Sequence, residues 1–488
     1  MRGLLELVAQ VSAPISAQQT HAAVLQDGGI DLQAEIRGLA EQLAAGAGTA
    51  PRLVSFDLPA GLVAAFTHDG LVALRSGAGV MWEQPGARSA LFGFGEALRL
   101  SGARTSPLSD AMAALRDAAK QAVVRVEGRE ARPRFFGGGR FSPSGSAVDP
   151  AWDVFGGWQY VAPRFLIATS EGQVGGSYTS VVAPGVTAEA MEAEIRGALA
   201  EATTHEDSPA GEQPGAGPAY SLPPDGWMER VAEAIGEIAA EKYQKVVLAR
   251  QARAAMSAPG GIGAVLSRLA ERYPNCFVFK YRLDPWDWIG ASPELLITLD
   301  SGHLRTASLA GSRPRVADER DNARLAAELL ADPKERSEHE YVAIALREAL
   351  TPLCDELHAP ATPVVMSLAN IHHLFTPIAG EVKRGVDVLD LVASVHPTPA
   401  VGAWPKAAGL AAIDRLEEMD RGWYSGPIGW VDFAGDGEFA VALRTGLVGR
   451  AGAILFAGAG IVEGSVPANE FAETETKLRP LREALAGS

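Results

Sequence analysis

Two apolar runs, Leu295 to Leu299 and Leu304 to Leu309, are separated by little more than Asp300-Ser301-Gly302. That pairing restricts the fold more than any other local feature. A connection this short cannot carry a parallel crossover, so the two runs form an antiparallel hairpin. Further strand signals fall at Leu53 to Phe56, Leu71 to Leu74, Lys245 to Arg250, Phe277 to Leu283, Ser425 to Phe433, Glu438 to Gly446 and Ala453 to Phe456. Helical periodicity falls at Leu108 to Val126, Arg320 to Leu330, Glu338 to Leu350 and Asn469 to Leu485. Another helix opens near Asp225, which can cap it, and carries Trp227, Val231, Ile235 and Ile238 on one face at spacings of 4, 4 and 3. Turn-linked strands with interspersed helices predict an α+β fold with largely antiparallel sheets.

The segment from His205 to Pro224 is rich in Pro and Gly and cannot sustain helix or ladder hydrogen bonds. It divides the chain into residues 1–204, a linker or loop 205–224, and residues 225–488. In the first part, Gly137-Gly138-Gly139 follows Phe135-Phe136 and precedes the aromatics Trp152, Phe155, Trp158 and Tyr160. No GxGxxG or Walker pattern accompanies the three glycines, so they read as a tight turn between strands.

The charge balance, 43 Lys+Arg against 59 Asp+Glu with a net −16, argues against a general nucleic-acid binder, which needs a basic face. No stretch approaches the roughly 18 apolar residues that span a bilayer. Cys276 and Cys354 show no CxxC or metal-ligand spacing and fit two buried thiols in a reducing cytoplasm. A soluble cytoplasmic protein without nucleic-acid or membrane partners is expected.

Only eight positions are Lys, so a lysine in an apolar strand stands out. Lys245 opens such a strand and shares a face with Val247 and Ala249. It reads either as a general base made by burial or as a strand-end lysine reaching solvent. Glu294, after Ser292-Pro293, stands at the mouth of another strand, where burial can keep a carboxyl protonated as a general acid. Glu335 and Glu338 lie three apart near one helix start, and Glu470 and Glu473 repeat that spacing on another. Each pair shares a helix face. Opposed across a cleft, the pairs supply the oxygen ligands that suit Mg2+; taken singly, each is a solvated face. Lys477 is placed for a salt bridge with Glu473 or for a counter-charge in the same site. Arg444, in the apolar run Val441 to Arg444, is either a carboxylate receptor or one half of a structural ion pair. Gly458-Ala459-Gly460 follows a strand and lets backbone N–H groups approach a ligand. His373 and His396 are acid/base or structural groups.

In chain order, Lys245-Val-Val-Leu-Ala-Arg250, Ser292-Pro-Glu294, Leu309-Ala-Gly-Ser312, Asp332-Pro-Lys-Glu-Arg-Ser-Glu-His339, His396-Pro-Thr-Pro399, Tyr424-Ser-Gly426, Ala442-Leu-Arg444, Gly458-Ala-Gly-Ile-Val462 and the run Glu470 to Lys477 resemble the chorismate-utilising enzymes. The resemblance covers the last 260 or so residues closely; Phe135 to Gly138 and Trp158 to Pro163 resemble the family's more variable half. It implies a large α+β body of two intertwined halves around a central cleft, with chorismate as substrate and Mg2+ as cofactor. By the resemblance, Lys245 matches the base that activates water for attack at C2, and Glu294 the acid that protonates the departing C4 hydroxyl. Glu338 and Glu473 match metal ligands, with Glu470 and then Glu335 close behind through water. Tyr424, Arg444 and the Gly460 backbone match groups that grip the substrate carboxylates, with Lys477 nearby, and Ser312 and His373 match further lining residues.

Aminating members of the family resemble this chain but carry glutamine where Lys245 stands. Members that form a covalent intermediate place a nucleophilic lysine where Ala310 stands. Water addition remains, and His396 to Gly402 with Arg421 to Gly429 resemble the isochorismate-forming branch, particularly its menaquinone-type members. Ala403 departs from that branch, where many members have a second glycine. The branch implies no glutamine amidotransferase subunit and a monomer or weak homo-oligomer. The alternatives are a salicylate-forming enzyme, which also eliminates pyruvate, and a catalytically silent binding or interaction module.

Overall fold

The computed structural model describes residues 31–143, 145, 147–203, 222–257, 259–316, 318–367, 371–449 and 452–487. Residues 205–221 of the expected linker lie outside them. Among the described residues the strands form two large sheets, one of twelve strands and one of ten. The hairpin at Asp300-Ser301-Gly302 is present, with Leu295–Asp300 antiparallel to His303–Pro314 and Thr298 opposite Arg305. In the twelve-stranded sheet, Lys245–Ala254 lies between Ala403–Trp404 and Gly452–Ile461, and Arg52–Asp57 pairs with Val123–Arg125 at the far edge. That edge pair is parallel, whereas the other pairings are antiparallel. Strands from before residue 204 and after residue 222 occur in both sheets, so the two parts of the chain are intertwined in one α+β body.

Two of the chain's crossings between the sheets lie side by side. Trp286–Ser292 belongs to the larger sheet and Leu295–Asp300 to the smaller, with Pro293-Glu294 between them. The return runs from Gly437–Val441 in the smaller sheet through Ala442-Leu443-Arg444 to Thr445–Gly449 in the larger. Ser292 Oγ donates to Val441 O at 2.6 Å, Val441 N to Glu294 O at 3.1 Å, and Ala291 N to Arg444 O at 3.2 Å. The predicted single strand Glu438 to Gly446 is therefore two strands in different sheets, broken where Arg444 adopts φ 52°. Continuous apolar sequence cannot reveal this break, because both sheets bury it equally.

Other elements differ from their sequence readings. Leu71 to Leu74 belongs to the helix Gly70–Gly77, not to a strand; Leu74 and Arg75 are buried while Leu71 and Val72 are 47% and 50% exposed, so only one face of the helix meets the core. The helix starting at Leu108 ends at Lys120, and the β-branched Val123-Val124 enters the sheet instead. The three glycines lie inside the buried strand Arg134–Gly139. A Cβ would stand 1.9 Å from Gln159 O at Gly137 and 2.3 Å from Pro427 O at Gly138, so close approach of neighbouring strands, not a turn, calls for glycine there. The helix Pro224–Ala239 starts with Pro224 in its first turn and Pro223 at the cap position; Asp225 lies one residue inside. Its Trp227, Val231 and Ile238 are buried in one core with Val246 and Leu248. Gly458-Ala459-Gly460 lies within the strand Gly452–Ile461, not after it. Cys354 is buried and Cys276 half-buried, both as thiols.

Candidate active site

The Lys245 side chain is completely buried, and its Nζ donates to Glu338 Oε1 at 2.8 Å. It is a buried strand lysine, not one that reaches solvent. Glu338 arrives on the helix Pro333–Leu350. Asp332 caps that helix by accepting from Lys334 N at 2.9 Å and Glu335 N at 3.3 Å, and proline occupies its first turn. The buried His339 pins the same helix onto the smaller sheet, with Nε2 2.7 Å from Thr376 Oγ1 and Nδ1 3.2 Å from Ala310 O. Gly460 completes the contact. A Cβ there would stand 2.8 Å from Glu338 Oε1 and 3.5 Å from Lys245 Cε.

The second glutamate pair lies on the helix Pro467–Ala486. Burial lifts the Glu470 carboxyl above the usual range, and the charges of Glu473 and Glu338 push it the same way against a Ser465 hydrogen bond and Lys334. Burial also acts to raise Glu473, but the Lys477 ammonium 2.6 Å away, with Arg444 and Lys334, holds it below the usual range. Lys334 stands 4.0 Å from Glu470. The two helices thus bring Glu338, Glu470 and Glu473 into one electrostatic neighbourhood, each near a lysine.

Glu294 sits at the crossing between the sheets. Burial pushes its carboxyl up to about 7, while Lys245, Arg444 and Lys477 act in the opposite direction. At neutral pH a substantial fraction therefore carries a proton. Tyr424 is buried and stacks on Phe456 at 5.4 Å. Its hydroxyl aims at Gly458, where a Cβ would lie 3.2 Å from it, and Lys477 Nζ donates to Gly458 O at 2.8 Å. His373 stands opposite Ser312 in the strand register. Burial brings its pKa down to about 4, aided by Arg444 and Lys477. It is a neutral imidazole at pH 7. The Ser312 side chain lies outside what is described. His396 is also driven to about 4 by burial and its Nε2 lies 3.1 Å from Phe141 O, which fits a structural group.

Lys245, Glu294, Glu338, Arg444, Glu470, Glu473, Lys477 and His373 are linked through these contacts and charges. Lys334 was not singled out in the sequence; its place between Asp332 and Glu335 in the first turn of a capped helix is the signal that could have found it. A hard divalent cation suits the donor set, since Glu470 feels two neighbouring carboxylates. Among the described residues no three His, Cys, Asp or Glu groups stand together in metal-binding proximity. Instead, lysines neutralise Glu338 and Glu473.

A two-sheet body whose crossing strands set a proton-bearing carboxyl beside a buried lysine, with arginine and acidic helices around it, is the kind of site that handles a small multiply charged acid. A family model described as chorismate binding enzyme matches residues 46–486, and the chain belongs to that family. It is 36% identical over 359 residues to isochorismate synthase MenF of Bacillus subtilis, spanning 73% of this chain and 75% of that protein. It is likewise 36% identical over 410 residues to the salicylate biosynthesis isochorismate synthase of Pseudomonas aeruginosa, spanning 83% and 84%. The fold matches the structure of MenF, the menaquinone-specific isochorismate synthase from Escherichia coli, with a TM-score of 0.72 at 23% identity, covering 93% and 99%. It also matches the crystal structure of a putative 2,3-dihydroxybenzoate-specific isochorismate synthase, DhbC, from Bacillus anthracis, with a TM-score of 0.64 at 25% identity over 92% and 100%.

Proposed function

We propose that this protein is an isochorismate synthase, adding water at C2 of chorismate as the C4 hydroxyl departs. The observation that carries the reading is the Glu294 carboxyl, held near 7 by burial at the seam where Lys245 and Arg444 act on it. Lys245 takes a proton from water as its oxygen bonds to C2. The ring double bonds shift, and Glu294 gives its proton to the leaving C4 oxygen, so one water enters and one leaves. Arg444 and Tyr424 hold the substrate carboxylates, and Lys477 and the neutral His373 line the same space. Glu338, Glu470 and Glu473, with Glu335 on the same helix as Glu338, would hold Mg2+, which when bound would supply Lewis-acid stabilisation of the substrate's negative charge.

The relatives named isochorismate synthase support this assignment over salicylate synthase. Their names and those of the structural neighbours point to menaquinone, salicylate and 2,3-dihydroxybenzoate routes alike, so the proposal stops at isochorismate. No amidotransferase subunit is needed, since water and not ammonia is the nucleophile, and a monomer or weak homo-oligomer is proposed. No helix among the described residues is long and apolar enough to cross a membrane. A cytoplasmic location is proposed on the family's small-molecule chemistry and the two thiols.

The test is conversion of chorismate by the purified protein with Mg2+, with the products separated by chromatography. Isochorismate without pyruvate is expected. Equimolar pyruvate would indicate salicylate synthase, and unchanged chorismate a silent module.

A further inference from the structure

The strand that carries Lys245 is paired along nearly all of its length on one side, where Val246 to Ala254 face Ile461 to Ala453. On its other side the partner is only two residues long: Lys245 faces Trp404 and Val246 faces Ala403. Beyond that point the edge has no strand, yet the backbone groups of Val247 and Ala249 find partners, Ala249 O accepting from Trp227 Nε1 at 3.3 Å. Val247 N donates to Gly402 O at 2.8 Å. Arg421 Nη2 donates to Val247 O at 2.8 Å, and Ala249 N donates to Glu417 Oε1 at 2.7 Å. The two side chains are themselves joined, with Arg421 Nε donating to Glu417 Oε2 at 2.8 Å, and Arg421 Nη1 donates to Val401 O at 2.9 Å. Both residues are buried, and the guanidinium lies over the Phe141 ring at 4.1 Å.

A buried ion pair usually adds little net stability, because desolvation offsets the attraction. This pair does something an apolar pair cannot: it supplies the donor and the acceptor that a third strand would have offered to Val247 and Ala249. Those residues share a face with Lys245. Arg421 also fixes the segment ending in Ala403–Trp404, and its carbonyl accepts from Tyr424 N at 2.9 Å. One side chain thereby ties the lysine strand, its short partner and the turn that bears Tyr424.

We propose that Arg421 and Glu417 are positioning residues, a side-chain bracket that replaces the missing strand edge and sets the height of the Lys245 strand against Glu338 and Glu294. The inference rests on the reading of Lys245 as the base. It requires the planar fork of arginine: a lysine at 421 could keep the charge of Glu417 but could not serve Val247 O and Val401 O together. A displacement of about 1 Å at the base costs up to 100-fold in rate. Arg421→Lys is therefore expected to lower kcat on the order of 10- to 100-fold while KM for chorismate stays within about threefold. Arg415→Ala, on the helix Lys406–Glu417 that ends at the bracket but paired outward with Glu233 and Glu237, is the control and is expected to leave both constants unchanged.

A cavity of about 340 Å³ opens beside the pair, lined in part by Phe141, Ile413, Glu417 and Arg421. Guanidinium ion therefore has a route to the vacated position, and millimolar guanidinium is expected to restore part of the kcat of Arg421→Ala, which a merely structural role would not allow. Glu417→Gln keeps an oxygen for Ala249 N–H but turns an NH2 toward Arg421 Nε–H, so it is expected to lower kcat as well, and it remains informative if the Arg421 variants do not fold. Amide hydrogen exchange at Ala249 supplies a readout independent of turnover: protected in the wild type, and faster in Arg421→Lys at an unchanged Tm. Loss of kcat only in proportion to unfolded protein, no rescue by guanidinium, or equal Ala249 protection in both proteins would overturn the bracket. A wild type inert toward chorismate would overturn the proposed function, and the exchange comparison alone would then decide the bracket.

Discussion

Lys245 and Glu338 lie 93 residues apart in the chain and 2.8 Å apart in the fold, the lysine side chain fully buried and the glutamate side chain 18% exposed. The proposed base and a proposed metal ligand are thus each other's hydrogen-bond partner. For Lys245 to take a proton from water it must first have lost the proton it donates to Glu338, which opens this ion pair. The arrangement makes base and cation site interdependent.

Glu473→Gln removes one of the three carboxylates proposed to hold the metal and leaves the helix Pro467–Ala486 with an isosteric side chain. Turnover is expected to vanish while the circular dichroism spectrum and Tm stay near wild type. Excess chelator is expected to silence the wild type in the same way. Full activity of the variant, or in chelator, would remove a metal from the mechanism.

Lys245→Ala and Glu294→Gln are expected to impair catalysis in both directions, because acid and base exchange roles when isochorismate is the substrate. Each loss should be on the order of 100-fold or more in kcat. Rates measured from chorismate and from isochorismate check this. Near-normal turnover both ways would make that residue structural.

Glu294 also makes a stability prediction that needs no substrate. Its folded-state pKa of about 7 lies above the ordinary value of 4.5. A raised folded value contributes stability that is present below the unfolded pKa and lost as pH rises through the folded one. Between about pH 4.5 and 7 the wild type should therefore lose stability relative to Glu294→Gln, by on the order of 3 kcal/mol at pH 8. Urea unfolding of both proteins at pH 4 and pH 8 measures it. An equal gap at both pH values would contradict the burial of this carboxyl.

Gly460→Ala places a methyl 2.8 Å from Glu338 Oε1. The contact forces Glu338 away from Lys245, and kcat is expected to fall about 10- to 100-fold with little change in Tm. Steady-state kinetics beside calorimetry separate the two effects.

Lys245 and Ala310 together predict the nucleophile. With ammonium added at high concentration, the product is expected to remain isochorismate. Anthranilate or aminodeoxychorismate as the main product would sink the assignment.

Much of this site is legible residue by residue. The hairpin at Asp300-Ser301-Gly302, the apolar strand behind Lys245 and the paired glutamates at i and i+3 follow from periodicity and turn chemistry, which depend on neighbours within a few positions. The ordered motifs add the family. What local pattern could not decide was where continuous apolar sequence changes sheet, as at Ala442 to Arg444, or whether Leu71 to Leu74 would wind into a helix once packed. Nor could it show that Gly137 and Gly138 serve close strand approach, that Lys245 meets Glu338, or that Glu417 and Arg421 stand in for a strand. A side chain's type and spacing are written in the chain. Its partner, its loss of water and therefore its readiness to hold or release a proton arise only when distant faces close on one another, and that was left to the tertiary structure.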